Sequence, residues 1–132
     1  MRKIAAFIAC ALLLAALSVA ATPAAATTRC PGAISWRSAG NHVGERVTVA
    51  GPVRGTRYAS DTNGSPTFIN LGRDYPDDRR FTALIWGKNR YKFADDPEVE
   101  FDQETVCVTG TVLLYRGVPE IIVSKPRQIR IP

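Results

Sequence analysis

The chain has 132 residues, 45% of them hydrophobic, with 17 Lys and Arg against 12 Asp and Glu and three cysteines. That length supports one domain with one modest core and is too short for two. The formal net charge of +5 is too small to assign a polyanionic partner by itself, so its distribution along the chain has to be read.

The first residues read as a secretory leader: Arg2 and Lys3 form a positive n-region, residues 4–21 are almost entirely apolar, and Ala24-Ala25-Ala26 supplies a small-x-small cleavage signal. Ser18 and Pro23 interrupt the apolar run and no basic stop-transfer flank follows, which argues against a membrane anchor. Cleavage is expected after Ala26, and Cys10 leaves with the leader. Removing 26 of the 132 residues leaves 106, a single domain over residues 27–132 that is secreted or periplasmic, has no membrane span and is monomeric. The two remaining cysteines, Cys30 and Cys107, are expected to pair at an oxidising destination, the alternative being two buried thiols.

Ile34 to Ala39 can make one helical turn, ended by Gly40-Asn41. Residues 45–53 alternate with period two, which puts Val47, Val49 and Val53 on the core side of a first strand, and Gly51 marks a bulge or bend that lets one strand serve two sheets. Residues 54–66 carry Gly55, Asp61, Asn63 and Gly64 and predict a turn-rich loop; Asp61-Thr62-Asn63-Gly64 lacks the later ligands of a calcium loop. A second strand is expected over Thr67 to Leu71 and a third over Phe81 to Trp86, joined by the charged connection Arg73 to Arg80. Residues 88–104 show no strand pattern and contain Pro97, so they predict a crossover with a helical turn near Asn89 to Phe93. A long fourth strand, residues 105–115, turns at Arg116-Gly117 into a fifth over 118–124, and residues 126–131 form an extended ending. The fold class that follows is all-β: a five-stranded OB-fold barrel with a short N-terminal helix and a crossover between strands three and four.

The run Ala39-Gly40-Asn41-His42-Val43-Gly44-Glu45-Arg46-Val47-Thr48-Val49-Ala50-Gly51-Pro52-Val53, then Pro66 to Gly72, Phe81 to Trp86, Val106 to Val112 and Tyr115 to Ile121 together resemble stand-alone bacterial OB-fold domains of the nucleic-acid-binding type. The resemblance implies a ligand face on strands two and three with their flanking loops.

Charge is blocked along the chain: residues 46–92 hold nine Lys or Arg against four acids, while residues 95–104 hold six acids and no base. Cations for phosphates and flat side chains for bases interleave in the first block. The candidate ligand-binding residues are Arg54, Arg57 and Tyr58 on the loop, Phe68 and Asn70 on strand two, Arg73, Tyr75, Arg79 and Arg80 on the charged connection, and Trp86, Lys88 and Arg90 after strand three, with Tyr91 and Lys92 beyond. Which face of strand two points outward is left open by alternation alone; Asn70 favours the face that also exposes Phe68.

Nothing marks a catalytic, cofactor or metal site. The one histidine, His42, sits in a turn where hydrogen bonding is the simpler role, and the common phosphate-loop and metalloprotease motifs are absent. The expectation is a binding module rather than an enzyme, taking single-stranded nucleic acid or another polyanion. An envelope adaptor that binds a protein, a glycan or a cation is the alternative, with Asp95, Asp96, Glu98 and Glu100 as its cation candidates.

Overall fold

The computed structural model describes residues 29–132, with Ala16 and Ser18 the only earlier positions; the expected leader over residues 1–26 lies outside the described residues apart from those two. The elements run β1 (Ile34–Ser35), a 3-10 helix (Trp36–His42), β2 (Arg46–Tyr58), β3 (Thr67–Leu71), β4 (Phe81–Ile85), α1 (Gly87–Arg90), α2 (Pro97–Glu100), β5 (Thr105–Tyr115), β6 (Val118–Ile122), a second 3-10 turn (Pro126–Gln128) and β7 (Ile129–Arg130). Five strands close a ring in the order β2, β3, β4, β6, β5 and back to β2, antiparallel except for the β4–β6 pair. This is the OB-type barrel expected from the sequence, and the crossover through α1 and α2 is what makes β4 and β6 parallel neighbours.

Period-two alternation fills the interior. Ile69 and Leu71 of β3, Phe81, Ala83 and Ile85 of β4, Val106, Val108 and Val112 of β5 and Ile121 of β6 have no measurable exposure. Each large side chain so buried contributes about 1.5–3 kcal/mol. At one end of β3 the barrel is plugged by Trp36, whose ring occupies the space a side chain would take at Gly51 and at Gly72. Gly72 also has φ +78°, so both its space and its backbone exclude other residues.

Four local expectations are corrected. Ile34 and Ser35 pair in parallel with Val49 and Ala50 rather than starting a helix, and the 3-10 helix begins at Trp36 because the Ser35 side chain accepts from the Arg37 backbone N–H. The first strand does not stop at Val53. β2 pairs with β5 through Pro52 and with β3 from Val53 to Tyr58, and the register shift falls between Val53 and Gly55, so Gly51 is not the bulge. Arg54, Arg57 and Tyr58 therefore stand on a strand and not on a loop. The helical turn expected near Asn89 to Phe93 lies at Gly87–Arg90 as α1, and the crossover holds a second, α2, started by Pro97, since the first helical position needs no backbone donor. The ending is not simply extended: Ile129 and Arg130 join β5 as β7 after the turn at Pro126–Gln128.

Cys30 and Cys107 form a disulfide with a Cα–Cα distance of 5.7 Å, and both are buried. It fastens the segment ahead of β1 to the start of β5.

Candidate nucleic-acid interface

With Ile69, Leu71, Phe81, Ala83 and Ile85 inside, the intervening residues must face out. Phe68 and Asn70 of β3 and Thr82 and Leu84 of β4 therefore share the outer surface of the ring, which resolves the orientation left open by the sequence. Register turns this into two rows. In one, Arg57 lies opposite Phe68, Phe68 opposite Leu84 and Leu84 opposite Ile122. In the other, Gly55, Asn70, Thr82, Glu120 and Leu113 succeed one another across five strands. Trp86, one residue past β4 and still extended at φ −67°, ψ 146°, continues the outward alternation beyond Leu84, its ring against the turn at Gly64.

The first row is open at Arg57 and partly at Phe68 and Ile122, while Leu84 within it is only 5% exposed. The Arg57 side chain is 65% exposed and only loosely paired with Asp61 at 3.8 Å, and Arg54, at the bulge, is exposed. Phe68 and Trp86 are half-buried, so each offers part of a flat apolar surface. Lys88, on α1, is exposed beside Trp86 in sequence.

Several expected contact residues are otherwise engaged. Asn70 is only 4% exposed: its Nδ2 donates to Asp74 Oδ1 at 3.0 Å and its Oδ1 accepts from Thr82 Oγ1 at 2.9 Å. The missing side chain at Gly55 leaves room for the Asp74 carboxylate to fold over this part of the face. Asp77 binds two of the connection's arginines, Arg79 at 2.9 Å and Arg73 at 3.5 Å. Side-chain and backbone hydrogen bonds from Arg79 hold its carboxyl at about 2. Arg73 and Arg79 thus share one carboxylate, which neutralises one of their two charges. Tyr75 is 70% exposed with the Arg80 guanidinium 5.2 Å from its ring centre.

Arg90 is the clearest correction. Its guanidinium bonds Glu98 through both terminal nitrogens at 2.6 and 2.8 Å, Asp96 at 2.9 Å and Thr67 Oγ1 at 2.8 Å, and it stacks 3.8 Å over the Tyr58 ring. It closes the barrel end opposite Trp36 and takes one ring face of Tyr58 with it. Lys92 is likewise bonded, to Asn89 Oδ1 and Ser124 O, whereas Tyr91 is exposed. The same knot commits Asp96 and Glu98, two of the four acids considered for a cation. Among the described residues no group of three His, Cys, Asp or Glu side chains is placed to hold a metal ion. His42 Nδ1 lies 2.6 Å from Glu45 Oε2 in its turn.

The Arg90 hydrogen bonds depress the Glu98 carboxyl below its ordinary value of 4.5, against the opposing effect of burial. Its stabilisation is therefore full above pH 4.5 and is lost as pH falls through the lower folded-state value. Glu98→Gln is expected to flatten the stability profile below pH 4.5, read by urea unfolding at stepped pH; a profile parallel to that of the parent chain would refute the assignment.

Sequence reasoning missed Asp74, Thr82, Leu84, Glu120 and Ile122. Carrying alternation outward from Phe81 and inward from Ile121 would have found the last four; Asp74 had no local signal.

No family model and no curated protein matches the chain. Solved structures with a similar arrangement include asparaginyl-tRNA synthetase from Pyrococcus horikoshii, with a TM-score of 0.48 and 18% identity over 74% of this chain and 22% of that one. Asparaginyl-tRNA synthetase from Entamoeba histolytica gives 0.47 and 20% over 75% and 23%. Aspartyl-tRNA synthetase from the same organism gives 0.43 and 17% over 69% and 19%. The chain spans about a fifth of the length of each.

Proposed function

We propose that the chain is an exported OB-fold module that binds single-stranded nucleic acid, or a similar polyanion, across the outer face of β2, β3 and β4. The observation that carries this reading is the pair Arg57 and Phe68, extended by Trp86: partly exposed flat side chains on one face with an exposed guanidinium in register. Bases stack on Phe68 and Trp86, which is tolerant of sequence because every base has a π-face. Arg54, Arg57 and Lys88 meet phosphates along the edge. Export is supported by the leader-like residues 1–26 and by the Cys30–Cys107 disulfide, a bond that persists in oxidising compartments. No catalytic step is assigned.

Anisotropy of a labelled single strand of about 20 nucleotides, longer than one OB site, tests the reading. Saturable binding is expected, weakening with a log–log salt slope of about −2, as three neutralised phosphates of a single strand require. Absence of binding at low salt, or binding indifferent to salt, would sink it. A protein-binding adaptor is the second reading, favoured by the exposed Leu113, Leu114 and Tyr115 at the tip of the β5–β6 hairpin. Salt-indifferent association with a protein partner would mark that outcome.

A further inference from the structure

At the β4–β6 side of the same face two opposite charges lie close together without pairing. Glu120, in register with Thr82, is half-buried and makes no hydrogen bond or ion pair with any described residue. Burial pushes its carboxyl up, while the positive charge of Arg80 pulls it back. Arg80, two residues before Thr82 and half-buried, spends Nη1 on Asp77 O at 2.8 Å and lays its guanidinium against Tyr75; its Nε is buried without a partner. A half-buried carboxylate and a half-buried guanidinium that do not pair with each other leave hydrogen-bonding capacity on each for solvent or a ligand. Set at neighbouring strands of one face, the guanidinium and the carboxylate together suit a planar group that presents an acceptor oxygen beside adjacent N–H donors.

We infer that Arg80 and Glu120 form a guanine-reading slot. A guanine edge places O6 toward the guanidinium and N1–H and the 2-amino group toward the two carboxylate oxygens. A carboxylate only accepts, and guanine alone among the common bases offers it two neighbouring donors. Thymine and uracil offer one ring N–H, while the adenine and cytosine amino groups sit beside a ring acceptor that repels the second oxygen. Leu113, opposite Glu120 on β5 and partly exposed, supplies an apolar wall for the ring. The inference rests on the nucleic-acid reading above and adds base selectivity to it.

The test uses four labelled DNA strands of about 12 nucleotides, within the span of one OB site. All are thymine with every third position guanine, hypoxanthine, adenine or cytosine. The guanine strand is expected to bind about tenfold tighter than the adenine and cytosine strands, as one bidentate base contact provides. Hypoxanthine, which lacks the 2-amino group, falls between. Glu120→Gln removes the difference between strands, and Arg80→Lys reduces it by losing the fixed fork while keeping the charge; unchanged thermal unfolding of each variant establishes that it is folded. Equal, salt-sensitive binding of all four strands by the parent protein, or a guanine preference that survives Glu120→Gln, overturns the slot and leaves the nucleic-acid reading standing. Failure to bind any strand overturns both.

Discussion

Replacing both Cys30 and Cys107 by alanine is expected to cost about 4 kcal/mol of unfolding free energy, the entropy released when a loop of this length is opened in the unfolded chain. The two cysteines are 77 residues apart, so the bond closes most of the described chain into one loop. For a domain of this size such a loss lowers the melting temperature by about 15–30 °C. Both sulfurs are buried, and alanine avoids placing an unpaired hydroxyl there, so the substitution reads the cross-link with little added penalty. Far-UV circular dichroism of parent and double variant during thermal unfolding measures it. A loss under about 1 kcal/mol would mean that the sheet pairings hold the N-terminal segment unaided.

Phe68→Ala is expected to weaken single-strand binding by about 5- to 100-fold, the value of one base-stacking contact. Phe68 is the aromatic at the centre of the outer row, between Arg57 and Leu84, and it points away from the core, so its removal costs recognition more than folding. Val99→Ala removes an exposed apolar side chain on α2, off this face, and provides the control for loss of surface apolar area. Equal affinity of parent and Phe68→Ala in the same titration would remove Phe68 from the interface and move the expected contacts toward Trp86.

These two outcomes test opposite kinds of legibility. The disulfide is readable from cysteine arithmetic and the expected compartment, because the two thiols outside the expected leader would have few other uses in an exported domain. The proposed binding surface is only half readable. Alternation separates Phe68 and Asn70 from Ile69 and Leu71, but solvent access depends on what lies above each residue. Phe68 remains partly open, whereas the connection after β3 folds back and Asp74 covers Asn70. The cation-rich stretch misleads in the same way. Composition counts Arg73, Arg79 and Arg90 with Arg57, yet the first two share the Asp77 carboxylate and Glu98 and Asp96 fix the third at the barrel end.

The five barrel strands and their closed ring follow from the sequence itself, whereas the short β1 and β7 do not. Hydrophobic periodicity, glycine and proline punctuation and the absence of long helices leave few other ways to bury Val49, Ile69, Phe81, Val108 and Ile121 together. The extent of β2, the bulge beside Arg54 and the partners of each arginine were decided only in three dimensions. Those features depend on contacts between residues far apart in the chain, such as Asp74 over Gly55, Trp36 against Gly72 and Thr56 bonded to Glu98 O. Periodicity reports which way a side chain points from its own backbone; only packing against distant segments decides whether it then meets solvent, an opposite charge or a ligand.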